Sequence, residues 1–233
     1  MVRGAPLEAR ARRIVFRDML LIPGLHMGEM TTGGRAYLAA HGITCVLVDT
    51  GGFDGTLGAG QLIQSAQHPP HEVRLILLTS ADAEHAANAA GLRELTGAPL
   101  AASREVAAIL ADPPPPRRRL LGRSDPFPPA RVDRIIAPGD RLDFCGGIEV
   151  LDAPGNHPGA LAYHLVEISA LLVGDAAEVD ASGLRPPRGR SVSDPGLAAA
   201  TVERLGAVEV RCVAPGHGLP LVDGRLPRKL PKS

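Results

Sequence analysis

The chain has no tryptophan, and aromatic residues fill only 3% of its 233 positions. That scarcity removes the stacking platforms on which single-stranded nucleic acid is held, and it leaves the core to Leu, Val, Ile and Ala. Net charge is missing as well. The 25 Lys and Arg balance 25 Asp and Glu, so no global field draws the chain to nucleic acid or to a membrane surface. No apolar run approaches the ~20 residues of a membrane span, and the basic opening MVRGAPLEARARR is not followed by a long apolar segment. Cysteine is sparse: Cys45, Cys145 and Cys212 stand far apart, form no CxxC pair and each adjoin an apolar run. The expectation is three buried thiols in a reducing compartment, hence a cytoplasmic protein. No GxSxG elbow occurs, and GTLGAGQ matches neither the dinucleotide fingerprint nor the P-loop.

What is present is an alternation of short apolar runs and helical patterns. TCVLV and VRLILL read as buried strands, because they are short, branched and bounded by turn residues. GQLIQSAQ suits a helix. From Glu84 to Leu95 the residues Ala86, Ala89, Ala90 and Leu92 recur at helical spacing, and Gly97 suits the stop. APLAAS reads as a short strand and REVAAILA as a short helix. Prolines at 113–116 exclude helix and central strand, so 111–134 is expected to be a long polar connection. Beyond it, RIIAPGDRLDFCGGIEVLDAPG and ALAYHLVEISALLVGDAA read as strands joined by tight turns. GLAAATVERLGA is a second amphipathic helix, and VRCVAPGHG a last strand and loop. The expected class is α/β, with two sheets and helices outside them in an α/β/β/α layering, and residues 1–233 as one domain.

Five loops follow apolar strands and pair a reactive side chain with Gly or Pro. They are DTGG (Asp49 to Gly52), SADAEH (Ser80 to His85), PGNHPG (Pro154 to Gly159), GDA (Gly174 to Ala176) and PGHG (Pro215 to Gly218). Ends of strands are where α/β sheets build sites, and tight turns aim side chains inward.

Order and context resemble the metallo-β-lactamase superfamily, in particular its glyoxalase II-like hydrolases, over roughly residues 30 to 220. The resemblance rests on VLVDTGG, ILLTSADAEHAANAAGL, APGDRLDF, DAPGNHPGALAYHL, LLVGDAA and APGHG in that order. It implies the four-layer αββα sandwich. The family motif is H-x-H-x-D-H, followed by a His in a PGH loop, an Asp in GD and a late His. By position these are Ser80, Asp82, Glu84 and His85, then Asn156, Asp175 and His217. The nitrogen donors of the family's first metal are thus replaced by Ser80, Asp82 and Asn156. The second set survives as Glu84, His85, Asp175 and His217. Two imidazoles and two carboxylates suit one divalent cation, Zn²⁺ first, with Mn²⁺ or Fe²⁺ as alternatives.

The resemblance implies a single-metal hydrolase of thioesters, lactones or phosphoesters, with Asp82 moving a proton and Asp175 bridging. Asp49 is expected to orient a neighbour rather than bind metal. Asn156 reads as a hydrogen-bonding residue. His157 is one position out of register, and Ser80 is suited to bonding a water or a carboxylate. The same residues also suit plainer roles: Ser80 or Asp82 as helix cap, Glu84 as a first-turn acid, Asp175 and His217 as turn residues. The alternative is therefore an inactive member of the fold, without metal, that binds a ligand or partner. His26, His41, His68, His71 and His164 show no paired acid and read as surface or core histidines. Arg117, Arg118, Arg119, Arg123 and Arg131 form a basic patch that is either a solvated loop or a rim for a small anionic substrate.

Overall fold

The computed structural model describes residues 17–29, 34–52, 55–113, 118–119, 122–123, 128–188 and 192–226. In chain order the first elements are β1 (Arg17–Ile22), β2 (Leu25–Glu29), β3 (Arg35–His41), β4 (Thr44–Val48), α1 (Gly55–Ser65), a 3₁₀ turn (Pro70–Glu72) and β5 (Val73–Leu77). Next come α2 (Ala83–Ala86), α3 (Ala89–Thr96), β6 (Leu100–Ala102), α4 (Arg104–Ala111), β7 (Arg118–Arg119), β8 (Gly122–Arg123) and β9 (Arg134–Ile135). The second half holds β10 (Arg141–Leu142), β11 (Ile148–Asp152), β12 (Leu161–Leu165), β13 (Ala170–Gly174), β14 (Glu178–Asp180) and β15 (Gly183–Arg185). It ends with α5 (Pro195–Gly206), β16 (Cys212–Pro215) and β17 (Leu221–Val222).

Two sheets carry the architecture. The first has the order β1-β2-β3-β4-β5-β6-β9 and the second β10-β11-β12-β13-β16-β17. Their central strands, such as β4 and β13, are buried on both faces, with the period of two deciding which layer each residue enters. On β4, Val46 and Val48 join the cluster between the sheets, whereas Cys45 and Leu47 face the helices α1, α3 and α4. On β13, Ala170 and Leu172 enter the same central cluster, whereas Leu171 and Val173 face α5 through Leu205. Three cores between four layers result, the αββα sandwich expected from the sequence. Each fully buried Leu or Val contributes roughly 2 kcal/mol by leaving water.

The chain's two tyrosines tie the sheets together. Tyr37 on β3 donates its hydroxyl to the carbonyl of Pro215 on β16 at 2.6 Å, and Tyr163 on β12 donates to the carbonyl of Leu78 at 2.6 Å. Burial pushes both hydroxyls well above their ordinary pKa, so both remain neutral donors.

The stretch read as one helix from Glu84 to Leu95 is instead two, α2 and α3, broken at Ala87–Asn88. The Asn88 side chain explains the break. Its Nδ2 donates to the carbonyls of Thr50, at 3.1 Å, of Gly51, at 2.9 Å, and of Gly52, and so binds the turn after β4. Gly97 closes α3 at φ 70°, the left-handed conformation a C-terminal stop requires. The antiparallel run β1-β2-β3 and the hairpin β14–β15 were not read from the sequence. The prolines at 114–116, the opening MVRGAPLEARARR and the tail RKLPKS lie outside the described residues. All three cysteines are free and buried, as expected. Among the described residues no helix is long and apolar enough to cross a membrane.

Candidate metal centre

The five loops gather at one rim of the sandwich because each leaves the same end of its strand. At the end of β4 the chain enters Asp49 at φ 60°, a left-handed conformation uncommon outside glycine. This turn sends the Asp49 carboxylate across to β5. Its Oδ1 accepts from the Thr79 amide at 2.8 Å and its Oδ2 from the Thr79 hydroxyl at 2.8 Å. The same Oδ2 lies 2.7 Å from Nδ1 of His85. Asp49 therefore orients its neighbour, and the proton on Nδ1 leaves Nε2 as the outward-facing nitrogen. The backbone of His85 is held as firmly, with its carbonyl accepting from the amide of Thr50 at 2.7 Å and from its hydroxyl at 2.8 Å.

His85 is fully buried, yet its Nε2 has no hydrogen-bond partner. Asp175 Oδ2 is 3.2 Å away, near enough for an ion pair but out of line for a hydrogen bond. Asp175 Oδ1 is 3.5 Å from His217 Nε2, and the two imidazoles meet edge to face with centroids 5.8 Å apart. Nitrogens of His85 and His217 and a carboxylate oxygen of Asp175 lie within 4.8 Å of one another. Gly216 is what permits this approach, since a Cβ there would overlap the His85 ring and Asp175 Oδ1.

Of the four expected metal ligands, His85, Asp175 and His217 converge. Glu84 joins from the side, its Oε2 3.0 Å from His217 Nε2. Asp82 caps α2, accepting from the amide of Ala83 at 2.8 Å, while its other oxygen lies 3.5 Å from His157 Nε2. Asp82, His157 and Asp175 form a second grouping within 4.8 Å. The out-of-register His157 thus stands beside Asp82 and Asp175, next to Asn156, the position at which the family has a His. Asn156 is a hydrogen-bonding residue, donating from Nδ2 to the Asp175 carbonyl at 2.9 Å. Ser80 accepts from the Asp82 amide at 3.3 Å, a local turn bond rather than one to a partner carboxylate.

The electrostatics reflect crowding of acids on imidazoles. Burial alone would strip the proton from His85, but Asp49 and Asp175 outweigh it and hold its pKa well above the ordinary value. The bond to Glu84 raises His217 against a smaller effect of burial, and the same bond lowers Glu84. Burial would raise Asp175, yet His85 and then His217 bring it below the usual carboxylate range. A cation satisfies the same demands. An orphaned imidazole nitrogen, an acid and a second imidazole at one point are a donor set that fits a divalent metal.

These groups open into a cleft of about 410 Å³, lined also by Ala177, Glu178, Pro187 and Arg188. A larger hollow of about 650 Å³ lies elsewhere against Arg93 and Asp133. Those two are consumed by a bidentate pair at 2.8 Å, which leaves Glu94 as the other charged group on the wall of the hollow. Arg188 was missed in the sequence because nothing local marks it. Asn88 and Gly216 were missed because their partners are distant in the chain. Arg117 lies outside the described residues, as do the side chains of Arg118, Arg119 and Arg123, and Arg131 is exposed 3.9 Å from Asp133. Three histidines read as lacking an acid do have one. His41 lies 3.6 Å from Glu167, His68 2.7 Å from Glu72 and His164 3.0 Å from Glu149. Register across antiparallel strands brings the last pair together, whereas the His68 pair is a local i, i+4 contact.

Comparison with solved structures returns the same sandwich. A metallo-beta-lactamase with a HARLDQ motif from Cronobacter sakazakii matches with a TM-score of 0.69 at 22% identity, over 87% of this chain and 78% of that one. The subclass B3 metallo-beta-lactamase BJP-1 of Bradyrhizobium japonicum matches with a TM-score of 0.68 at 21% identity, over 87% and 78%. A beta-lactamase from Chitinophaga pinensis matches with a TM-score of 0.67 at 18% identity, over 93% and 83%. At such identities the likeness concerns the fold. The family model of the metallo-beta-lactamase superfamily matches residues 31–217, from before Asp49 to His217, and the chain belongs to that superfamily.

Proposed function

We propose that this protein is a metal-dependent hydrolase that works with one divalent cation, zinc first, on His85, Asp175 and His217, with Glu84 completing the set. The observation that carries this reading is the buried, unbonded Nε2 of His85 aimed at Asp175 and His217. Membership of a family of metal-dependent hydrolases supports it. A divalent cation there would supply Lewis acidity toward water and toward a substrate carbonyl or phosphoryl oxygen. The chain's own groups do the rest. Asp49 keeps His85 in one tautomer through the 2.7 Å contact at Nδ1. Asn156 fixes the Asp175 backbone. Asp82, exposed at the mouth beside His157, takes a proton from the attacking water and returns one to the leaving group. Arg188 on the cleft wall pairs with an anionic group of the substrate. Substrates are thioesters, lactones or phosphoesters.

The test is a comparison of metal content in protein purified without chelator. The His85→Ala/His217→Ala double variant is expected to hold about one equivalent less than wild type, and wild type is expected to turn over one member of an ester, thioester, lactone and phosphodiester panel. Equal metal content in both proteins overturns the reading.

A second reading has its own support: where the family has histidines, Ser80 accepts from the Asp82 amide and Asn156 donates from Nδ2 to the Asp175 carbonyl, both bonds within the loops. Under it the protein is a catalytically inactive member of the fold that binds a ligand or partner. It predicts no turnover with zinc, manganese or iron, and the same response of melting temperature to these ions in wild type and in His85→Ala/His217→Ala.

A further inference from the structure

A second cluster of metal-ligating side chains lies away from the cleft. Cys45 is the second residue of β4, near the end opposite to Asp49. They are four residue steps apart along the strand, on the order of 13 Å at the usual rise. β4 points Cys45 toward the helix layer, where it is completely buried. His68 follows α1, and Glu72 ends the 3₁₀ turn that leads into β5. His68 Nδ1 and Glu72 Oε2 are 2.7 Å apart, and both side chains are mostly covered, at 18% and 24% exposure. A nitrogen of His68, an oxygen of Glu72 and the Cys45 sulfur all lie within 4.8 Å of one another.

We propose that Cys45, His68 and Glu72 form a structural zinc-type site that clamps the start of β4 to the turn before β5. Sulfur, nitrogen and oxygen donors together select a borderline cation such as zinc over magnesium or calcium. Ligands 2.0–2.3 Å from a tetrahedral ion stand roughly 3.3–3.8 Å apart, so the three groups need only small side-chain adjustments to close on one. The partial exposure of His68 and Glu72 leaves a path for the ion and a fourth position for water. On binding, the S–H bond of Cys45 breaks, its proton passes to buffer and the thiolate takes the ion.

The same triad of residue types also describes a nucleophilic cysteine with a base and an orienting acid. That use does not fit here. Cys45 has no exposed surface to meet a substrate, and burial pushes its thiol up to about 12. A small ion reaches a group that a substrate cannot. The location fits a structural role too, because Cys45 pairs with Val73 at the beginning of the parallel β4–β5 ladder, far from the loops that hold the cleft.

Cobalt distinguishes this site from the one in the cleft, whose ligands include no sulfur. Chelator-treated full-length protein titrated with Co²⁺ is expected to develop a thiolate-to-cobalt charge-transfer band in the near ultraviolet. The band persists in His85→Ala/His217→Ala, disappears in Cys45→Ser and weakens at least tenfold in apparent affinity in Glu72→Gln. Cys145→Ser and Cys212→Ser leave it unchanged. In the His85→Ala/His217→Ala background, zinc at a hundredfold excess over Kd raises Tm by on the order of 5 °C, and Glu72→Gln abolishes that rise. Absence of the band in wild type overturns the proposal, as does a band that survives in Cys45→Ser. Should Cys45→Ser fail to fold, the half-covered Glu72→Gln still decides, since unaltered cobalt affinity in that variant overturns the site.

Discussion

At the scale of single residues, the Asp49–His85 contact fixes much of the site's chemistry. Asp49→Asn leaves one neutral acceptor oxygen in place of two carboxylate oxygens, so its NH2 faces either the Thr79 amide or His85 Nδ1. Metal affinity is expected to fall 10–100-fold with the fold retained, measured by competition against a chromogenic chelator. Proton linkage at His85 has a defined direction. In metal-free protein its folded pKa lies above the unfolded value near 6.5. Its ion pairs therefore stabilise fully below about pH 6.5, and that contribution is lost as pH rises through the folded pKa. Metal uptake runs the other way, because imidazolium must release its proton to bind. Tm of the chelated protein is expected to decline across this window while zinc affinity climbs. Calorimetry in buffers of differing ionisation heat counts the protons released. At this scale the side chains that converge, His85, Asp175 and His217, were legible from their loops. His157 was not, because residue spacing cannot say which of two adjacent side chains a loop turns inward.

At the scale of elements, the turn after β4 and the short α2 form one unit, joined by Asn88. Removing the side chain in Asn88→Ala leaves the carbonyls of Gly51 and Gly52 without their donor. The cost is expected to be about 1–3 kcal/mol in chemical denaturation, with faster hydrogen exchange at residues 49–52. Gly216→Ala is expected to weaken metal binding, since the added methyl overlaps the His85 ring and Asp175 Oδ1, while the Gly216 amide is held to the Gly174 carbonyl at 2.8 Å. Metal titration of a folded variant checks this. The apolar runs TCVLV and VRLILL specified β4 and β5 because both faces of these central strands are covered, whereas β1, β2 and β3 carried no such signal. The helix break was illegible, because Asn88 sits at an ordinary helical position and its three carbonyl partners lie more than thirty residues earlier in the chain.

At the scale of the whole molecule, two sheets from the two halves of the chain share one central cluster, and the site lies across their common rim. Asp49 and His85 come from the first sheet's loops, Asp175 and His217 from the second's. Tyr163 and Tyr37 hold those rims in register by bonding to Leu78 and Pro215, beside the site's own loops. Tyr163→Phe removes one donor from a buried carbonyl, with an expected loss of about 1–3 kcal/mol in thermal or denaturant unfolding. The variant is also expected to bind metal more weakly, because the Leu78 carbonyl directly precedes Thr79 and the SADAEH turn.

The sequence alone determined the class of fold, the buried state of the cysteines and the kinds of ligand available. Those properties follow from local periodicity and residue chemistry, which the chain carries at every position. Only the tertiary structure decided which groups converge. His85 meets Asp49, Asp175 and His217 across separations of 36, 90 and 132 residues. Distances across such separations depend on how two sheets pack and twist, and no local pattern encodes an ångström of that.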